Sequence, residues 1–268
     1  MGKVLKFDFY KAVKAISTWI ILICVIGFSI ASLTITYISK TEGELPDVAL
    51  EIGEQTTIVP LEEMTVVDWC IDSISGDFLM LFVAIFAVLF TCSDYATGFI
   101  KNTYNTIKNK WHYVLSKLLV VSVFTILTII TAYAVTMIFN LAVVKSSSFG
   151  DVSEMLIFTL NKALLLIAYG CVGVLISFVV KKSTAGLIIS MGYSFMFANL
   201  IYTGINQIVK STGISDTFAV QEYTLVGNTI SLNSDISSDQ QMIVLIVCSV
   251  AIIVSFVISS ILFAKRDV

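Results

Sequence analysis

Long apolar segments, each close to the length that crosses a bilayer, constrain the fold of this chain more than any other feature. A bilayer core about 30 Å thick takes roughly 20 apolar residues in helical form. Lipid offers the backbone no hydrogen-bond partners, so such segments are helices, and these uninterrupted runs lack the alternation of barrel strands. The composition agrees, with 57% hydrophobic and 13% charged residues. The predicted spans are Ser17–Ile38, Phe78–Cys92 (which extends by a turn at one end), Leu118–Val144, Ala163–Val180, Leu187–Ile208 and Met242–Ala264.

The sequence therefore predicts an all-α integral membrane protein with six transmembrane helices, and its basic residues predict the orientation. Cytoplasmic connections carry an excess of Lys and Arg. With the N-terminus inside, twelve of the 16 Lys and Arg residues lie inside and four lie outside. The inner set is Lys3, Lys6, Lys11, Lys14, Lys101, Lys108, Lys110, Lys117, Lys181, Lys182, Lys265 and Arg266, and the outer set is Lys40, Lys145, Lys162 and Lys210. Both termini are predicted to be cytoplasmic.

Residues 1–16 are predicted to form an amphipathic helix that precedes the membrane domain of residues 17–268. Its apolar face is Leu5, Phe9, Ala12, Val13 and Ile16, at helical spacing. The pattern fits a helix in the inner membrane interface, and it fits equally a basic flank that only fixes topology. The following apolar run is too long for a signal peptide, so an uncleaved first helix is expected.

Two outer loops, 41–77 and 206–241, separate the predicted spans on the far side. The first holds ten acidic residues and no Lys or Arg, which fits attraction of a cationic peptide or simple solubility. Its stretch TVVDWCIDSI is predicted to be a helix on the membrane surface, with Val66, Val67, Trp69 and Ile74 facing the lipid.

Several kinds of chemistry are excluded by what the sequence lacks. The only Gly-Lys pair is Gly2-Lys3, without a following Ser or Thr, so no phosphate-binding loop is present. His112, the single histidine, lies in a predicted cytosolic connection, so no Ser-His-Asp or Cys-His arrangement is expected within the spans. One histidine also excludes His-x-x-x-His metal spacing. Ionisable residues are not expected near the membrane midplane, which argues against ion-coupled transport. No enzymatic activity, metal or bound cofactor is expected of this chain.

The polar segment 93–117 between the second and third spans is the strongest functional candidate. Asp94 is predicted to cap a short cytosolic helix, with Thr97 and Gly98 near its start. That helix has an aromatic and aliphatic face with a basic rim, which fits either a groove on a partner protein or the bilayer surface. The face comprises Phe99, Ile100, Thr103, Tyr104, Ile107 and Trp111, and the rim comprises Lys101, Lys108, Asn109 and Lys110.

The sequence from Asp94-Tyr-Ala-Thr-Gly98-Phe-Ile-Lys-Asn through Lys110 to Lys117-Leu-Leu resembles the ABC-2 type permeases, a family of bacterial antimicrobial-peptide and multidrug exporters. The match covers the whole chain in topology, and in residues mainly 93–120. The chain departs from the family pattern at KNKWH and in the order of Thr97 and Gly98. The resemblance implies a type V exporter-like fold in a bacterial plasma membrane. It also implies an ATPase-coupling segment comprising Asp94, Gly98, Phe99, Thr103, Tyr104, Ile107, Lys108, Trp111 and Lys117.

The same resemblance implies the partners and the substrate path. ATP and Mg²⁺ would bind to a separate nucleotide-binding ATPase subunit in two copies, and a second permease chain, identical or related, would complete the transporter. Membrane lipid and a peptide or hydrophobic substrate are further expected partners, and nucleic acid is not. Helices two and five would line the path through Phe82, Phe86, Phe90, Tyr193, Phe197, Asn199 and Tyr202, although aromatic stripes often only pack against lipid or helices.

A small-residue stripe in the predicted fifth span fits either a dimer seam or packing within the chain. It comprises Gly186, Ser190, Ser194 and Ala198. Asn140 and Asn199 are polar residues within spans that suit either substrate contact or interhelical hydrogen bonds. The expected function is export of an amphiphilic or antimicrobial peptide or a hydrophobic drug. Sodium export by the same kind of complex and a non-transporting sensor or scaffold subunit are the alternatives.

Overall fold

Helices make up every regular element in the part of the chain that the computed structural model describes, namely residues 2–42, 64–100, 109–146, 148–195, 202–207, 220–232 and 238–265. In chain order they are α1 (Gly2–Lys14), α2 (Ile16–Glu42), α3 (Val66–Ser75), α4 (Phe78–Ala96), α5 (Trp111–Phe139), α6 (Val152–Val180), α7 (Ser183–Phe195), α8 (Leu225–Ser231) and α9 (Ser238–Ala264). A π-helical turn, Asn140–Val144, continues α5, and a 3-10 turn, Val220–Tyr223, precedes α8.

Five helices within the described ranges are long and apolar enough to cross a membrane. Their spanning segments are Ile16–Thr41, Phe78–Ala96, Trp111–Val144, Val152–Val180 and Asp239–Ala264. The chain is therefore an all-α, multi-pass membrane protein. The remaining predicted span, Leu187–Ile208, overlaps most of α7 and includes the helical residues 202–207, but it lies partly outside the described residues. The count of six spans stays a prediction.

Several span boundaries differ from the predicted ones because polar helix ends extend the apolar cores. The helix α6 starts at Val152 rather than at Ala163, since the Asp151 carboxylate accepts a hydrogen bond from Ser153 N at 2.9 Å and so caps the start. This carboxylate is solvent-exposed, and its hydrogen bonds to Ser153 lower its pKa. The extra turn expected of the second span is present, because α4 ends at Ala96 rather than at Cys92.

The helix α6 lies at the centre of the bundle and contacts α4, α5, α7 and α9. Two glycines allow close approach of its backbone to the neighbouring helices. A Cβ at Gly170 would stand 2.6 Å from Val121 Cγ1, and one at Gly173 would stand 3.1 Å from Ala87 Cβ. Small residues at helix contacts bring backbones together where lipid provides no hydrophobic driving force. The core of the protein is therefore built around α6.

The two ends of the bundle carry different short elements. At one end, named the N-terminal end, α1 packs beside the end of α4 and the start of α5. At the opposite end, α3 and α8 pack against α6. Thr65 and Asp68 form a capping box that starts α3. The predicted position of α3 on the membrane surface is wrong, because Val67, Trp69 and Ile74 are buried against the bundle.

Candidate functional site: a charge network at the N-terminal end

The Asp94 carboxylate is the centre of a buried network of charged side chains at the N-terminal end of the bundle. Asp94 lies inside the last turn of α4, so the predicted role as a helix-start cap is wrong. Its oxygens accept hydrogen bonds from Lys11 Nζ and the Tyr113 hydroxyl, and from Lys117 Nζ at 2.5 Å. Three donors from two other helices therefore converge on one carboxylate.

Lys117 connects this carboxylate to a second one. Its side chain is 0% exposed, and its Nζ lies 2.7 Å from Asp8 Oδ1 and 2.5 Å from Asp94 Oδ2. The ammonium also lies 4.4 Å from the centre of the Phe90 ring and 5.0 Å from that of Tyr113, within the range of cation–π attraction. Four contacts of two kinds, two ion pairs and two cation–π contacts, thus stabilise a charge whose burial in lipid or in an apolar core would be costly.

The network balances its own charge. Asp8 on α1 accepts hydrogen bonds from Ser116 Oγ and Lys117, and Lys11 also donates to Ser93 Oγ at 2.7 Å. The two aspartates, Asp8 and Asp94, face the two lysines, Lys11 and Lys117, so the formal charge of the group is zero. Buried ions are tolerated when they are paired and hydrogen-bonded in this way.

Ionisable residues do lie within the candidate membrane-spanning helices. The expectation from the sequence concerned the membrane midplane alone, and it stays a prediction. Asp94, Lys117 and Lys162 are each buried within a candidate span. Such residues in spanning helices face the bundle interior, pair with polar groups and mark functional positions. Sequence reasoning singled out Asp94 and Lys117 but placed Lys162 outside its span, because the apolar run begins only at Ala163.

The network holds both ends of the connection between α4 and α5. Asp94 lies just before this connection and Lys117 in the second turn of α5, while α1 supplies Asp8 and Lys11. The connection begins at Gly98, whose positive φ of 67° is a left-handed conformation that glycine adopts without strain. Next, Phe99 stacks on Phe7 of α1 with ring centroids 4.8 Å apart. The start of the connection is therefore anchored to α1 as well.

The remaining predicted coupling residues are placed only in part. Thr103, Tyr104, Ile107 and Lys108 lie outside the described residues. Asn109 and Lys110 form a turn, after which Trp111 is the first residue of α5 and is 44% exposed. The predicted apolar face therefore does not run as one helix from Phe99 to Trp111, because this turn interrupts it.

Sequence reasoning missed five members of the network: Asp8, Lys11, Ser93, Tyr113 and Ser116. One signal existed for the first, because Asp8 is the only acidic residue among the lysines of residues 1–16 and shares a helical face with Ala12 and Leu5. The pairing itself joins residues more than eighty positions apart in the sequence. No local pattern specifies that contact.

The predicted substrate-path residues lie mainly in packed positions. Phe86 stacks on Phe90 and on Phe124 of α5, and Phe82 contacts Phe28 of α2. Tyr193 stacks on Tyr169 of α6, and Tyr202 is buried. The contacts described for these side chains are packing contacts. Phe197 and Asn199 lie outside the described residues.

The small-residue stripe also makes contacts within the chain. A Cβ on Gly186 would stand 2.9 Å from Val88 Cγ1 of α4, and the backbone oxygen of Ser190 accepts a hydrogen bond from the Tyr169 hydroxyl at 2.8 Å. Ala198 lies outside the described residues, as does the side chain of Ser194. Asn140 lies in the π-helical turn at the opposite end and donates to Ser146 Oγ at 3.0 Å.

Comparisons with known proteins identify no relative of this chain, so the charge network is the main guide to its function. No protein-family model matches the chain, and no curated protein matches it. Among the described residues, no group of three or more His, Cys, Asp or Glu side chains is placed to hold a metal ion. What the site offers chemically is a rigid, charge-neutral junction between α1, α4 and α5.

Proposed function

We propose that this chain is the membrane-spanning permease subunit of an ATP-driven exporter of the ABC-2 type. The segment between α4 and α5, residues 97–110, is the docking element for a separate nucleotide-binding ATPase. The N-terminal end of the bundle then faces the cytoplasm, as the distribution of basic residues predicts. ATP and Mg²⁺ belong to that partner, and a second permease chain completes the transport path.

The single observation that carries this proposal is the charge network at both ends of the docking element. A segment that receives force from a partner moves the spanning helices only if it is firmly joined to them. Asp94, Lys117 and Asp8 provide that junction, with Nζ–O distances of 2.5 and 2.7 Å in a fully buried setting. Displacement of residues 97–110 would therefore move α1, α4 and α5 together.

The proposed substrate class is the one that the family resemblance implies. An amphiphilic or antimicrobial peptide, or a hydrophobic drug, can enter a path between helices from the membrane as well as from water. Ten acidic residues in the loop 41–77 favour the cationic members of this class by electrostatic steering at the opposite end. Sodium export and a sensor or scaffold role are the competing functions, and they make different predictions for the partner.

Purification of the tagged chain from its native host in a gentle detergent tests the proposal. Mass spectrometry of stoichiometric partners is expected to identify a protein with a phosphate-binding loop, and a second permease chain if the pair is heteromeric. The double substitution Tyr104→Asp and Ile107→Asp is expected to remove that partner, because two carboxylates replace the apolar face. The matched control is Phe149→Asp with Val152→Asp, two exposed apolar residues at the opposite end.

The outcomes separate the three functions. The exporter is supported if the ATPase is lost from the Tyr104→Asp, Ile107→Asp variant and not from the control variant. The intact complex should then also hydrolyse ATP faster when substrate is added. Stimulation by sodium ions instead supports sodium export. Absence of any nucleotide-binding protein from the intact complex contradicts the proposal and favours the sensor or scaffold role.

A further inference from the structure

Lys162 is a fully buried lysine that belongs to none of the functions assigned above. It lies in α6, ten residues after the first residue of that helix, and its side chain is 0% exposed. The sequence prediction placed it in an outer connection, because the span was expected to begin only at Ala163. A buried ammonium inside a spanning helix is costly unless it binds strong acceptors, so its partners indicate what it does.

The ammonium joins two short helices at the opposite end of the bundle. Lys162 Nζ donates to the backbone oxygen of Ser75 at 2.5 Å and to that of Thr229 at 3.1 Å. Ser75 is the last residue of α3, and Thr229 lies in the last turn of α8. The last carbonyls of a helix lack partners within the helix and carry the negative end of its dipole. One positive charge therefore binds the C-terminal ends of two helices.

These two helices depend on such contacts for their position. The helix α3 has 10 residues and α8 has 7, and helices this short are not stable alone in water. Both pack against α6, which carries Lys162. Release of the ammonium would free both C-terminal ends at once.

The carboxyl of Asp77 is a second acceptor near the same ammonium, and one of its two oxygens lacks a donor among the described residues. Asp77, between α3 and α4, interacts electrostatically with Lys162, and burial raises the pKa of this carboxyl despite the neighbouring ammonium. Its Oδ1 is buried and accepts no hydrogen bond from the part of the chain that the structure describes. A buried oxygen without a donor is unfavourable, so a conformation in which Lys162 donates to Asp77 gains a charge-assisted bond.

We propose that Lys162 is a two-position latch: bound to the Ser75 and Thr229 carbonyls it holds α3 and α8 against α6, and paired with Asp77 it releases them. The device is a side-chain switch between two sets of acceptors for one ammonium. It opens the end of the bundle opposite α1 without unfolding any spanning helix. The proposal rests on the opposite end alone and does not depend on an ATPase partner.

Cys70 is a native reporter of this motion. It lies on α3, is 1% exposed, and burial raises the pKa of its thiol to about 11. The thiolate is the reactive form, so a polar maleimide reacts slowly with Cys70 while α3 is packed. Release of α3 exposes the thiol and accelerates its alkylation. Cys171, buried within α6, reports on loss of the whole fold.

The experiment is a time course of maleimide alkylation of the full chain in nanodiscs, followed by mass spectrometry of the Cys70 and Cys171 peptides. Lys162→Met, which keeps the side-chain length and removes the donor, is expected to accelerate Cys70 alkylation roughly tenfold or more, since two charged hydrogen bonds are lost. Asp77→Asn removes the charged alternative acceptor and is expected to slow Cys70 alkylation below the wild-type rate. Lys145→Met replaces an exposed lysine at the same end, so it is the matched control and is expected to leave the alkylation rate of Cys70 unchanged.

The two variants shift the reaction in opposite directions only if the latch exists. If Lys162 and Asp77 only support the structure, Cys70 is alkylated faster in each of the two variants, and that result overturns the proposal. An unchanged Cys70 rate in Lys162→Met, with Cys171 protected, overturns it as well. If Lys162→Met exposes Cys171 because the fold is lost, Asp77→Asn decides alone: a slower rate supports the latch, and an equal or faster rate overturns it.

Discussion

The two ends of the bundle each bury a lysine, and they stabilise the charge by different means. At the N-terminal end, Lys117 lies between the carboxylates of Asp8 and Asp94. At the opposite end, Lys162 binds the backbone oxygens of Ser75 and Thr229. Full charges attract strongly where water is excluded, whereas carbonyls at helix ends offer only partial charges. The first arrangement suits a permanent junction, and the second suits one that opens.

The largest effect expected from this comparison comes from removal of the Lys117 ammonium. Lys117→Met leaves Asp8 and Asp94 buried with only Lys11 as an opposite charge, and breaking a buried pair in this way costs about 3–5 kcal/mol. Thermal unfolding of the purified protein in detergent measures the loss. Lys182→Met, an exposed lysine at the same end, is the control and is expected to unfold like the wild type. Equal stability of the two variants would mean that the junction contributes nothing to the fold.

A smaller difference is expected between the two acidic members of the same network. Asp94 accepts hydrogen bonds from two lysines and a tyrosine, whereas Asp8 accepts from one lysine and one serine. Since each hydrogen bond to a charged group contributes about 1.5–3 kcal/mol, Asp94→Asn should destabilise the protein more than Asp8→Asn. The same unfolding assay orders the two variants. The reverse order would show that α1, rather than α4, is the side of the junction that matters more.

The sequence could predict the all-α membrane class and most span positions, because runs of apolar residues reflect the thickness of the bilayer directly. It could also place Asp94 and Lys117 at the two ends of one connection, on the same side of the membrane. The partner Asp8 and the depth of Lys162 could not be predicted. The first depends on contact between distant segments, and the second depends on where α6 begins, which the Asp151 cap shifts well before the apolar run. Burial of α3 was also missed, because an apolar helix face is equally compatible with lipid and with the protein interior.

The smallest expected effect concerns Asp72, a charged residue of α3 that belongs neither to the charge network around Asp94 nor to the contacts of Lys162. Its side chain is 40% exposed, and its Oδ2 lies 3.5 Å from Lys40 Nζ. Burial raises the pKa of this carboxyl above 3.8, and the Lys40 ammonium opposes that rise only in part. A carboxyl whose pKa is higher in the folded state favours folding below pH 3.8, and this contribution is lost as the pH rises through the folded-state pKa.

Asp72→Asn is therefore expected to be slightly more stable than the wild type at pH 7, by less than about 1 kcal/mol because water screens a half-exposed pair. The difference should shrink as the pH falls towards 3.8, because the wild-type carboxyl becomes protonated first in the folded state and, below that pH, in the unfolded state as well. Unfolding temperatures of the two proteins between pH 4 and pH 7 measure this dependence. A variant less stable than the wild type at pH 7 would show that the Lys40 ion pair outweighs the cost of burial. In that case Asp72 would be stabilised by its ion pair, as Asp8 and Asp94 are at the N-terminal end. Lys162 would then be the one residue on which the difference between the two ends depends.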